Sequence, residues 1–231
     1  MRRFRIVLKQ IEPPIRLVDK DNSLEVNLCS QYKPEKIAKC PKTEDELYSV
    51  YSEMGNLLLD YYNLVMGEPA FELSNEVRAI LGHLADYNEQ GDDLKENLKR
   101  AYAHFRRLNL DAFKILCDEY DKVFSKLIVK FYKYDLRTAA ADFLKKYYTQ
   151  YFQARNKYLC AQKKESLGKN CNEVYGLYFE ALKSYIQLKN TYLEKKKKLK
   201  RKKICSVTCQ IGSIIVSAIC STISLIGLFI Q

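Results

Sequence analysis

The stretch Asp92–Tyr134, DDLKENLKRAYAHFRRLNLDAFKILCDEYDKVFSKLIVKFYKY, decides the fold. Within it Leu94, Leu98, Ala101, Phe105, Leu108, Ala112, Leu116, Val123, Leu127 and Phe131 recur at three- and four-residue spacing. At 100° per residue that pattern lays one apolar stripe along a helix, and a stripe of this length needs other helices to cover it. The expected fold class is therefore all-α, an elongated antiparallel helical bundle.

Outward from this helix, punctuation marks the neighbouring elements. Upstream, Thr43 followed by Glu46 has the form of a capping box and opens a helix that runs to about Met66, ahead of Gly67. Pro69 suits the first turn of a second helix ending near Gly91, and Asp92 can cap the long third one. Downstream, a fourth helix is expected over Arg137–Lys164. Asn172 then caps a fifth, which leads toward a lysine-rich block after a break at Gly168–Asn172. Residues 43–194 thus read as one bundle. Residues 1–42 read as an extended N-terminal arm, because Arg3–Lys9 and Ser23–Cys29 alternate weakly like short strands and Pro13 and Pro14 bar a helix between them.

Residues 195–203 hold eight Lys or Arg, and residues 204–231 hold no charged residue at all. A span of about 20 apolar residues crosses a bilayer, so a C-terminal transmembrane helix is expected over 204–231. The basic block at 195–203 keeps the preceding body cytoplasmic by the positive-inside rule, making the chain a single-pass, tail-anchored membrane protein. Met1–Leu8 lacks the apolar core of a signal peptide. The expected partners are accordingly the lipid bilayer and its anionic lipids, drawn by the block at about 1 kcal/mol per basic residue. That block supplies eight of the eleven net positive charges, so the remaining +3 does not make the body a basic nucleic-acid binder.

Inside the tail, Ser206, Gln210, Ser213, Ser217, Ser221 and Ser224 fall within an arc of about 80° on one helix face. Small hydroxyl residues along one face suit helix packing in membranes, so a homo-oligomer is expected, with a water-filled lumen as the competing use of the seam. The eight cysteines include no CxxC pair and no histidine at zinc-ligand spacing, which argues against a structural metal. Walker, HExxH and GxSxG motifs are missing, so no cofactor is expected and ATPase, zinc protease and serine hydrolase readings are disfavoured.

The chain has two histidines, His83 and His104. If the second and third helices form a hairpin turning near Gly91, the two lie at nearly one level, each at the border of its apolar stripe. Arg100, His104, Arg107 and Asp111 form a polar row on the third helix, and Glu76 and Arg78 precede His83. Imidazoles move protons near neutral pH and guanidiniums hold phosphates, so this grouping suits cleavage of RNA by its own 2′-hydroxyl. It suits equally a satisfied polar network that fixes helix register.

The segment Asn75–Leu84, Asn-Glu-Val-Arg-Ala-Ile-Leu-Gly-His-Leu, contains the Arg-x4-His form of the signature of HEPN domains, helical nucleotide-binding or RNA-cleaving modules frequent in prokaryotic defence and toxin systems. Arg100–Asp111 also resembles the second core helix of bacterial relatives, and the resemblance spans roughly Thr43–Lys164. Joined to a membrane segment, such a bundle is similar to the small membrane-associated HEPN-type accessory proteins of CRISPR systems. The resemblance implies Arg78 and His83 as catalytic residues, completed across a dimer interface, and RNA or a defence-system protein as partner. Two departures stand beside it. Ala79 occupies a position where catalytic members usually carry a polar residue, and Arg78 and His83 are about 140° apart on an ideal helix.

Three functions are consistent with these residues. The leading expectation is a self-associating membrane effector or accessory protein of a bacterial antiviral defence system, acting by membrane perturbation or pore formation. The alternatives are a membrane-tethered, metal-independent HEPN-type endoribonuclease and a passive tail-anchored tether.

Overall fold

The computed structural model describes residues 23–67, 70–89, 94–133, 141–168 and 173–196. Over these residues the chain is all-helical, with no strand. The elements are α1 (Ser23–Gln31), α2 (Pro34–Ala38), α3 (Glu44–Val50), a single π-helical turn (Tyr51–Gly55), α4 (Asn56–Met66), α5 (Phe71–Glu89), α6 (Leu94–Lys133), α7 (Ala141–Ser166) and α8 (173–196).

The central strut is α6, and its stripe is buried as its spacing dictates: Leu98, Ala101, Phe105, Leu108, Ala112, Leu116, Val123 and Leu127 all lie in the core. Its amino-terminal half runs beside α5, the most extensive pairing between elements, while α4, α7 and α8 cover the rest. The Thr43 cap forms as its sequence implies. Thr43 Oγ1 accepts from the Glu46 backbone N–H at 3.2 Å, and Glu46 reaches back to the Lys42 N–H at 2.7 Å. At the far end Gly67 takes φ 83°, and its N–H closes on Asn63 O.

Between those caps the helix is not uniform. At Tyr51–Gly55 one extra residue widens a turn, and this brings the chain against α6: the Tyr51 ring lies 5.8 Å from that of Phe105. Gly55 is required there, because a Cβ would stand 2.9 Å from Phe105 Cε2.

Tyrosine dominates the interior. Tyr120, Phe124 and Tyr185 stack nearly parallel, with centroids 5.8–6.2 Å apart, and Tyr147 meets Phe124 edge-on. Several of the tyrosine hydroxyls are matched inside the fold: Tyr61 with Tyr120 at 2.7 Å, Tyr185 with Asp121 at 2.9 Å, Tyr178 with Glu165 at 2.7 Å and Tyr102 with Ile37 O at 2.5 Å. Burial pushes the phenols of Tyr61, Tyr120, Tyr178 and Tyr185 up, and the Asp121 carboxylate beside Tyr185 adds to it.

Two parts of the expected fold class are corrected. The N-terminal arm is not extended where it is described, since it forms α1, which packs on α4 and meets α8, and α2, whose Ile37 carbonyl accepts from the Tyr102 hydroxyl of α6. Glu25, Leu28 and Tyr32 repeat at helical spacing and are all buried. The pattern is obscured in the sequence because one member is charged, and its neutralising partner, Lys189 of α8, stands 164 residues away. Asn190 Nδ2 also donates to Glu25 at 3.2 Å. The expected strand at Arg3–Lys9 lies outside the described residues.

The second correction concerns the membrane-crossing helix. Among the described residues no helix is long and apolar enough to cross a membrane, because each long one is amphipathic and carries charge along its outer face. Residues 204–231, with the seam Ser206, Gln210, Ser213, Ser217, Ser221 and Ser224, lie outside the described residues. Of the basic block, Lys195 and Lys196 are described, and both are in α8.

Candidate functional site

On α5, Glu76 and His83 are seven residues apart, close to two full turns, so they share the face turned to α6. The antiparallel neighbour places His104 against both. The His83 and His104 rings stack with centroids 5.3 Å apart and planes inclined by 26°. His104 Nδ1 is 2.7 Å from Glu76 Oε2. The Glu76 and His104 side chains are 20% and 23% exposed, so the group sits at the rim of the core, dry enough to order it and open enough to be reached from solvent.

The rest of the expected polar row divides, the arginines staying exposed beside His104 and Asp111 turning away. Arg100, exposed, pairs with Glu96 one turn back at 3.5 Å. Arg107 is exposed on the turn after His104. Asp111 turns to Lys114 at 3.5 Å, and Lys114 also meets Glu165 of α7 at 2.5 Å, so that carboxylate belongs to the α6–α7 contact and not to the histidines.

Arg78 is exposed. Since α5 is regular α-helix through Gly82, with no distortion to draw the two residues together, Arg78 stays about 140° from His83 and only about 60° from Leu81. Leu81 borders an apolar groove of about 90 Å³ between α3 and α5, lined also by Leu47, Tyr48, Tyr51, Val77, Ile80 and Leu84. Sequence reading missed this groove, because half of it comes from the helix that the π turn reorients. Half-exposed Tyr48 and Leu81 were its available signal.

Among the described residues no three His, Cys, Asp or Glu side chains are placed to hold a metal ion together. Chemically, the site offers a carboxylate, an imidazole bound to it, and a second imidazole stacked on the first. Exposed guanidiniums lie one turn to either side along α6. Such a set can accept a proton, donate one and attract an anion without a cofactor.

No protein-family model matches this chain, and no curated protein or solved structure is significantly similar to it.

Proposed function

We propose that the protein is a metal-independent endoribonuclease of HEPN-like type that serves as an accessory or effector in bacterial antiviral defence. The observation that carries this reading is the meeting of both histidines of the chain on one partly exposed face, with Glu76 bound to one of them. RNA carries its own nucleophile. The reaction asks the protein for a proton acceptor at the 2′-hydroxyl, a proton donor at the departing 5′-oxygen, and positive charge near the phosphate. The imidazoles supply the first two. Arg100 and Arg107 flank His104 and supply the third, while Arg78 contributes only from a second copy of the chain, as the HEPN resemblance implies.

The test is cleavage of single-stranded RNA by the purified full-length chain in EDTA, with the ends of the products identified. Fragments with 2′,3′-cyclic phosphate and 5′-hydroxyl ends are expected. His83→Ala and His104→Ala should each lower the rate by roughly 10²–10⁴. Cleavage that survives both substitutions, or no cleavage at all, overturns the proposal.

A second reading is favoured by one feature of the sequence, the uncharged stretch 204–231 behind the basic block at 195–203. There the protein is a self-associating effector that perturbs a lipid membrane. Dye leakage from anionic vesicles that disappears when the five serines of the stretch become leucine, and persists in His83→Ala and His104→Ala, would support it against the ribonuclease.

A further inference from the structure

A carboxylate can only accept hydrogen bonds, so the 2.7 Å contact between Glu76 Oε2 and His104 Nδ1 places a proton on Nδ1. Neutral imidazole in water favours the other tautomer, with the proton on Nε2. From this geometry we infer that Glu76 is a positioning residue that holds His104 in the Nδ1–H tautomer and so makes His104 Nε2 the proton-accepting atom of the histidine pair. The inference rests on the ribonuclease reading for its chemistry and on the contact alone for the tautomer.

Roles within the pair follow. Glu76 and His104 come from different helices of one hairpin and are each about four-fifths buried, so the contact fixes the ring plane as well as the tautomer. His104 Nε2 takes the proton of the 2′-hydroxyl, the 2′-oxygen forms its bond to phosphorus, and the bond from phosphorus to the 5′-oxygen breaks. The leaving oxygen takes a proton from His83, which enters the step as the imidazolium. His104 leaves the step as an imidazolium hydrogen-bonded to a carboxylate, so charge forms where a counter-charge is already in place. Electrons and protons balance without any further reactant, and water restores both rings. Arg100 and Arg107 on α6 are the charged groups beside His104, while Arg78 on α5 points to the other side of its helix.

With only two histidines in the chain, nitrogen-15 NMR of histidine-labelled full-length protein in detergent micelles reads the tautomer directly, the His83→Ala spectrum giving the assignment. With both rings deprotonated, His104 should show a protonated Nδ1 and a bare Nε2. Glu76→Ala should return it to the Nε2–H form, and Glu76→Gln, whose amide oxygen still accepts, should keep the Nδ1–H form. A bare Nδ1 in the parent protein, or a spectrum unmoved by Glu76→Ala, overturns the inference. On RNA, Glu76→Ala should lower kcat by about tenfold or more at unchanged KM, with Glu76→Gln between the two. Equal loss in both variants, or a loss confined to KM, also overturns it. Absence of cleavage in the parent protein would remove the ribonuclease reading, whereas the spectrum decides the tautomer by itself.

Discussion

Two aromatic stacks lie on α6, and they are built to opposite ends. Around Tyr120, Phe124 and Tyr185 the rings are sealed in the core, and the hydroxyls of Tyr120 and Tyr185 end on internal partners. Around His83 and His104 the rings also stack and also meet a carboxylate, yet the group is left partly open to solvent. The first arrangement is what a fold does with polar aromatic groups it must hide. The second keeps titratable nitrogens at the surface, where burial would have disfavoured their charged forms, and that is the placement expected of groups that exchange protons with something outside.

The largest difference between the two regions should appear at high pH. The buried phenols are held above their ordinary value near 10, Tyr151 and Tyr158 up to about 12, with burial as the leading cause in each. The unfolded chain can ionise from pH 10 upward while the folded one cannot. The stability that goes with the raised values is therefore complete below pH 10 and lost as pH climbs through 12, by about 1.4 kcal/mol per pH unit for each tyrosine still protonated. Helical circular dichroism and the tyrosinate absorbance of the buried tyrosines should change together. Ionisation of the core tyrosines themselves, read in variants with the exposed tyrosines changed to Phe, well before helix is lost would show that the tyrosine core is not sealed.

Next in size is the buried pair that ties α1 to α8. Lys189→Met leaves the Glu25 carboxylate in the core without its cation and should cost about 3–5 kcal/mol in urea unfolding. Adding Glu25→Leu should return most of that, since a matched apolar pair of similar volume is often neutral. Failure of the double variant to recover would mean that Asn190 and the surrounding packing depend on the carboxylate itself.

Gly55 gives a smaller, purely steric effect. A methyl group there meets Phe105, the residue next to His104, so Gly55→Ala should cost about 1–3 kcal/mol. It should also loosen the seat of the histidine site and leave the Tyr120 stack intact. Equal disturbance of both regions by NMR would show that the two ends of α6 are one cooperative unit.

How much of this was legible beforehand depends on the range of the interactions. The stripe on α6, the Thr43 cap and the Gly67 stop are local patterns, readable because helix periodicity and caps repeat within a few residues. The level meeting of His83 and His104 was readable too, since a hairpin maps sequence distance from its turn onto height. α1 was not, because Glu25 looks like a surface residue until Lys189 is placed beside it. Helix spacing alone puts Asp111 in the histidine row, but its partner Lys114, three residues on along α6, also meets Glu165 of α7 and draws it into a contact that the spacing does not contain. The π turn escaped for a different reason: an inserted residue leaves the composition of a helix unchanged and shifts only its phase.

The smallest expected effect is the one that separates the two stacks most sharply. Histidines retained for register would leave a gap and an unpaired Glu76 when removed, costing about 1–3 kcal/mol each. At a rim still about one-fifth exposed, water replaces part of the lost partner, so His83→Ala and His104→Ala should each cost no more than about 1 kcal/mol. Tyr61→Phe in the sealed core, which orphans the Tyr120 hydroxyl, should cost more than either. Urea unfolding of the three variants side by side gives the ranking. If the histidine variants prove the more damaging, the site is a structural clasp of the α5–α6 hairpin, and its openness to solvent has no chemical purpose.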